Sequence, residues 1–180
     1  AGYKAIDDEV SVDTDKLKKE AEMKGLWRRF VISAIFTVPL LIIAMGPMLG
    51  LKLPRIISPD SNAVSYGIIQ LLLATPVLFV GNKFFRVGFK TLINRSPNMD
   101  SLIAIGTSAA YIYSLYSVIM IVTEHHHYVH NLYFESAGVI LTLITLGKYL
   151  EAVSKGKTSE AIKKLMGLAP KTATIERNGK

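Results

Sequence analysis

Four apolar runs constrain this chain more than any other feature: Leu26 to Leu49, Ala63 to Val80, Leu102 to Val122, and Leu132 to Leu150. A helix needs roughly 20 mainly apolar residues to cross a bilayer, and each run comes close. Half of the 180 residues are hydrophobic, too much and in stretches too long for an ordinary water-soluble domain. The sequence predicts an all-α polytopic membrane protein with four spans joined by short connections, and its contact with the lipid bilayer follows.

The net charge of +7 suggests nucleic acid only until the charges are located. They fall between the apolar runs. If both termini are cytoplasmic, 19 of the 21 Lys and Arg lie on one side, as the positive-inside tendency requires. The expected topology is therefore a multi-pass protein of the cell membrane with N and C termini inside. The opening "AGYKAIDDEV" has neither an initiator Met nor a cleavable signal pattern, and "ERNGK" closes no element, so the sequence reads as part of something longer. The absence of cysteine removes disulfides and thiolate metal sites within these residues.

The segment "GNKFFRVGFKTLINR" differs in kind. Phe85, Phe89, Leu92 and Ile93 recur on one helical face while Lys83, Arg86 and Lys90 recur on another, the pattern of an amphipathic helix lying in the membrane interface. That helix is either a plain surface anchor or a cationic platform for an acidic partner. Gly81 is the expected hinge where the second span turns into it. Pro39 and Pro76 are expected to kink the first and second spans, and Gly106, Ala110 and Ser114 form a small-residue stripe suited to close helix packing. Before the first span, Asp15 is positioned to cap a helix through "KLKKEAEMKGLWRR" after a polar tether. After the fourth, helical spacing continues through Met166, and "KTATIERNGK" alternates and ends in Asn-Gly, a hairpin signal that opens a β-rich domain.

Chemistry-bearing residues are few. Glu135 stands inside the fourth run, where an ionisable group must face protein, water or the interface, so it is either a snorkelling carboxylate or an ion ligand. Glu151 lies 16 residues along the same helix, roughly 24 Å away at the other membrane face. Met99 and Asp100 begin the third span at that same depth. A thioether and a carboxylate suit transient binding of a soft ion such as Cu(I), whereas the plain alternatives are packing for Met99 and helix capping for Asp100. Glu124, His125, His126, His127 and His130 crowd one loop; adjacent imidazoles converge poorly on a metal, so a solvated loop is the reading, with weak Cu or Zn contact as the alternative. No phosphate-binding glycine loop, nucleophile–base pair or spaced His pair is present.

Three stretches carry a resemblance: "LATPVLFVGNKFFRVGFKTL" from Leu73, "SPNMDSLIAIGTSAAYIYSLY" from Ser96, and "LYFESAGVILTLITLGKYLEAVSKGKTSEAIKKLMGLAPKTATI" from Leu132. They resemble the N-terminal membrane portion of the heavy-metal-transporting P-type ATPases, in particular the copper(I)-exporting branch. The resemblance implies the tail of a metal-binding domain at 1–5, a linker at 6–25, and two class-specific helices with the platform at 26–95. It further implies the first two transport-core helices at 96–155 and the start of the actuator domain at 156–180. It implies that Met99 and Glu151 receive Cu(I), with silver(I) as a co-substrate, and that Glu135 lies on the release path. Lys83, Arg86 and Lys90 would receive a copper chaperone or the pump's own metal-binding domain. ATP and Mg would bind outside these residues, since no phosphorylated DKTGT, TGE loop or Cys-Pro-Cys occurs here. The alternatives are a Zn, Cd or Co pump of the same family, or a non-enzymatic four-helix membrane adaptor or metal-binding subunit.

Overall fold

In the computed structural model, the described residues are 8–51, 54–123 and 125–167. Five α-helices follow one another: α1 (Asp8–Met45), α2 (Ala63–Val80), α3 (Asn82–Ile93), α4 (Met99–Val122) and α5 (Phe134–Gly167). Short 3-10 turns at Pro47–Leu49, Arg55–Ile57 and His126–His130 gather at one end of the bundle. The opposite end carries α3, Lys148 and Lys155, and is called the basic end below. Four helical stretches are long and apolar enough to cross a membrane: Leu17–Met45, Ala63–Val80, Met99–Val122 and His127–Thr158. Large apolar side chains such as Ile35, Leu72, Leu102 and Ile112 stay exposed along them, the surface a bilayer or further helices would cover.

Pro39 and Pro76 lie inside helices that continue past them, unbroken as expected. Other expectations change in detail. α1 starts at Asp8, so Asp15 lies inside the helix rather than at its start. The stripe on α4 is only partly engaged: Ser114 is buried, but a side chain added at Gly106 would meet nothing within 4 Å. The expected metal-binding tail at 1–5 and the β-rich stretch after Gly167 lie outside the described residues.

Helix contacts combine small residues with polar bridges, as expected where lipid removes most hydrophobic drive for helix association. α1 meets α5 through Thr37 and Thr142, whose hydroxyls lie 2.8 Å apart, and through Gly138, where an added Cβ would sit 3.2 Å from Leu40 Cδ2. The ring centroids of Trp27 and Tyr149 extend this seam toward the basic end at 5.0 Å. α2 meets α4 through Thr75 and Tyr111, with oxygens 2.9 Å apart. Near the loops, Ser114 Oγ accepts from the Tyr133 N–H at 2.7 Å and Ser117 Oγ donates to the Asn131 carbonyl at 3.0 Å. These two bonds fix the start of α5 against α4.

Candidate ion clefts at the two ends of the bundle

At the basic end, α1, α3, α4 and α5 surround a cleft of about 360 Å³ whose lining includes Met23, Arg29, Lys83, Asp100, Lys148 and Glu151. Glu151 is exposed and held by its own helix: Lys155 Nζ donates to its Oε1 at 2.6 Å and Lys148 Nζ lies 3.6 Å from Oε2. Ion pairs this exposed are weak and screened, so the carboxylate is available to a competing cation.

Asp100 is the correction at this end. The cap of α4 is Asn98, whose side chain accepts from the Ser101 N–H at 3.0 Å while Ser101 Oγ accepts from the Asn98 N–H at 3.3 Å, a reciprocal capping box. Asp100 is thereby free of capping duty. It lines the cleft with Glu151, and its buried Oδ1 has no hydrogen-bond partner among the described residues. Met99 is 56% exposed at the first position of α4 and is not among the cleft-lining residues. The structure therefore brings Asp100, rather than Met99, to Glu151's cleft. Met23 joins them from α1, a thioether that the sequence reading did not consider.

α3 holds the cleft's wall and packs on α4 and the bundle beside the apolar face expected at the membrane interface. Phe84 and Phe85 pack against the buried cluster of Val77, Ile103 and Leu141, and Gly88 is buried against α4. A Cβ on Gly88 would fall 2.3 Å from the Asp100 carbonyl oxygen, so only glycine permits this approach. The Gly88 carbonyl accepts from Ser101 Oγ at 2.9 Å, and Thr91 Oγ1 lies 2.7 Å from that Ser101 oxygen. Phe89, Leu92 and Ile93 remain exposed, with Ile93 at 80%, and Lys83, Arg86 and Lys90 are also exposed. Gly81 separates α2 from α3 with φ −78° and ψ 5°, dihedrals open to any residue. Its small size serves instead the approach of Leu141 Cδ2, 3.1 Å from where a Cβ would be.

At the loop end, a larger cleft of about 700 Å³ is lined by Met45, Met48, Tyr66, Gln70, His130 and Glu135, among others. Glu135 accepts from Ser136 Oγ at 3.2 Å through Oε1, and its buried Oε2 has no partner among the described residues. Gln70 is fully buried on α2, again without a partner for either side-chain polar atom. Its signal was present: an amide in the middle of the run "SYGIIQLLLATPVLFV". His125 is held locally, its Nδ1 3.0 Å from the Thr123 carbonyl oxygen. Among the described residues no three His, Asp or Glu side chains converge as a metal cage.

The chain is 39% identical over 180 residues to a copper-exporting P-type ATPase of Staphylococcus epidermidis, an alignment covering 99% of this chain and 22% of that protein. It is 40% identical to a probable copper-importing P-type ATPase A of Enterococcus hirae, over 99% of this chain and 24% of the relative. It is 44% identical to a probable copper-transporting ATPase of Arabidopsis thaliana, over 88% of this chain and 16% of the relative. No family profile and no solved structure matches it. The chain spans about a fifth of the length of the curated relatives it matches. Nearly all of the chain's residues align at about 40% identity to such proteins from bacteria and a plant, so the chain is similar to a membrane segment of copper-transporting P-type ATPases.

Proposed function

We propose that these residues form the N-terminal membrane part of an ATP-driven Cu(I) exporter, with Ag(I) as a second cargo and both termini cytoplasmic. The observation that carries this reading is the identity of about 40% along 99% of the chain to copper-transporting P-type ATPases. The two clefts support it: α5 carries a carboxylate into each, Glu151 at the basic end and Glu135 at the loop end. In this reading the basic end is cytoplasmic, and Met99 and Glu151 receive Cu(I), with Asp100 as a neighbouring oxygen donor. A mixed thioether and carboxylate set binds a soft ion without trapping it. Glu135 then assists release at the outer face. Lys83, Arg86 and Lys90 form a docking platform for a copper chaperone or the pump's own metal-binding domain, and Gly81 is its hinge. ATP hydrolysis through an aspartyl phosphate, with Mg, belongs to parts of the protein outside these residues.

The test is Cu(I)-stimulated ATP hydrolysis and vesicle transport by the full-length protein, run beside Zn(II), Cd(II) and Co(II). Copper and silver should stimulate turnover, and Met99→Ala and Glu151→Ala should raise the Cu(I) concentration needed for half-maximal rate. Stimulation by Zn(II) alone would move the protein to a different metal branch, and undiminished copper export by both variants would remove the receiving-site assignment.

A further inference from the structure

The outer cleft holds two buried polar groups with no hydrogen-bond partner among the described residues, the Gln70 carboxamide and Glu135 Oε2. They do not bond to each other. The nearby Tyr66 hydroxyl spends its proton on the Ala44 carbonyl at 3.4 Å and makes no bond to the amide within hydrogen-bond distance, and Ser136 Oγ donates to Glu135 Oε1. A fully buried amide with both atoms orphaned is costly, and such groups are normally satisfied by protein or ordered water. Their complement narrows the partner. Gln70 offers two donors and an acceptor whereas an ionised Glu135 offers only acceptors, so water, able to accept from the amide N–H and donate to the carboxylate, fits both at once. About 700 Å³ leaves room for several such molecules.

We propose that Gln70 is a positioning residue for ion release: its carboxamide anchors a water chain across the outer cleft to Glu135, so that an ion leaving the carboxylate is met by water. The proposal rests on Glu135 acting in release. It assigns to α2, a helix with no other chemistry, the task of keeping that path wet.

The experiment compares full-length wild type with Gln70→Leu, of similar volume and no hydrogen-bonding capacity, and Gln70→Met in parallel, so that misfolding of one variant does not decide the outcome. Microsecond hydroxyl-radical labelling reads water in the cleft directly, with the mass-spectrometric yield at Tyr66, only 6% exposed, as the reporter. Labelling of Tyr66 in wild type should drop several-fold in both variants. Copper-stimulated kcat should fall about tenfold, the usual cost of losing a group that orients a metal-site partner, with KM for Cu(I) within twofold because uptake occurs at the other end. Gln70→Asn should recover part of both. Unchanged Tyr66 labelling overturns the water chain, and lost labelling with unchanged kcat overturns the positioning role. A wild type without copper-stimulated turnover would fail the pump reading instead, while the labelling result would still decide the water chain.

Discussion

The Gly88 contact yields the sharpest prediction. An alanine Cβ there would lie 2.3 Å from the Asp100 carbonyl oxygen and 2.8 Å from Ala104 Cβ. Comfortable contacts begin about 1 Å further out, so α3 and α4 must separate by roughly that much. Neither clashing atom belongs to a flexible side-chain end, and the strain has no cheap outlet. Overpacking of this kind costs about 1–3 kcal/mol. The same separation stretches the 2.9 Å bond from Ser101 Oγ to the Gly88 carbonyl beyond hydrogen-bond reach, adding about 0.5–1.5 kcal/mol. Against this, glycine to alanine inside a helix gains about 0.8–1 kcal/mol. Sterics win, with a net loss of about 1–3 kcal/mol. Gly25→Ala is the control, since an added Cβ there meets nothing within 4 Å and only the propensity gain remains. Denaturant titration of the chain in mixed micelles, followed by its single tryptophan, Trp27, measures both. Gly88→Ala that is no less stable than Gly25→Ala would refute the close approach. The variant also moves Asp100, so under the proposed function the response of the full-length protein to Cu(I) should shift in the same experiment series.

Further predictions address single contacts and topology. A double-mutant cycle of Thr37→Val and Thr142→Val should give a coupling of about 0.6 kcal/mol, typical of hydrogen bonds between membrane helices; a coupling near zero would mean that the seam is held by packing alone. Asn98→Ala removes the capping box of α4 and should lower stability by about 1 kcal/mol, whereas Asn98→Asp should retain most of it, both read by the same titration. Lys155→Ala frees the Glu151 carboxylate from its 2.6 Å partner, and under the proposed function the KM of the full-length protein for Cu(I) should fall about twofold, the effect being largest at low salt; a raised KM would show that Lys155 helps rather than competes. The chain has no cysteine, so Arg86→Cys and His127→Cys each provide a unique thiol. A membrane-impermeant maleimide applied to intact cells should label the chain at position 127 and not at 86, and the reverse pattern would invert the proposed topology.

What could be read in the sequence follows what each signal measures. Hydropathy measures transfer from water to lipid, and it located all four membrane-length helices because that term dominates their placement. Periodicity measures which side chains are apolar, and on α3 it selected Phe85, Phe89, Leu92 and Ile93. Phe89, Leu92 and Ile93 of that set stay exposed, as an interfacial face should, while the helix–helix contact runs through Phe84, Phe85 and Gly88. In a membrane the most apolar face has no reason to be the packed one, because lipid solvates it as well as protein does. Close approach is decided by the smallest residue, and glycine registers on no hydropathy plot. The same logic explains the basic-end cleft. The sequence offered Asp100 as the cap of α4 because a carboxylate suits that position. The chain spends Asn98 there, reciprocated by Ser101, and this leaves the acidic side chain directed to the cleft that Glu151 shares. A neutral residue in the capping position and an acidic one beside it suits the proposed metal entry, since a carboxylate committed to backbone N–H groups has fewer lone pairs left to bind a cation.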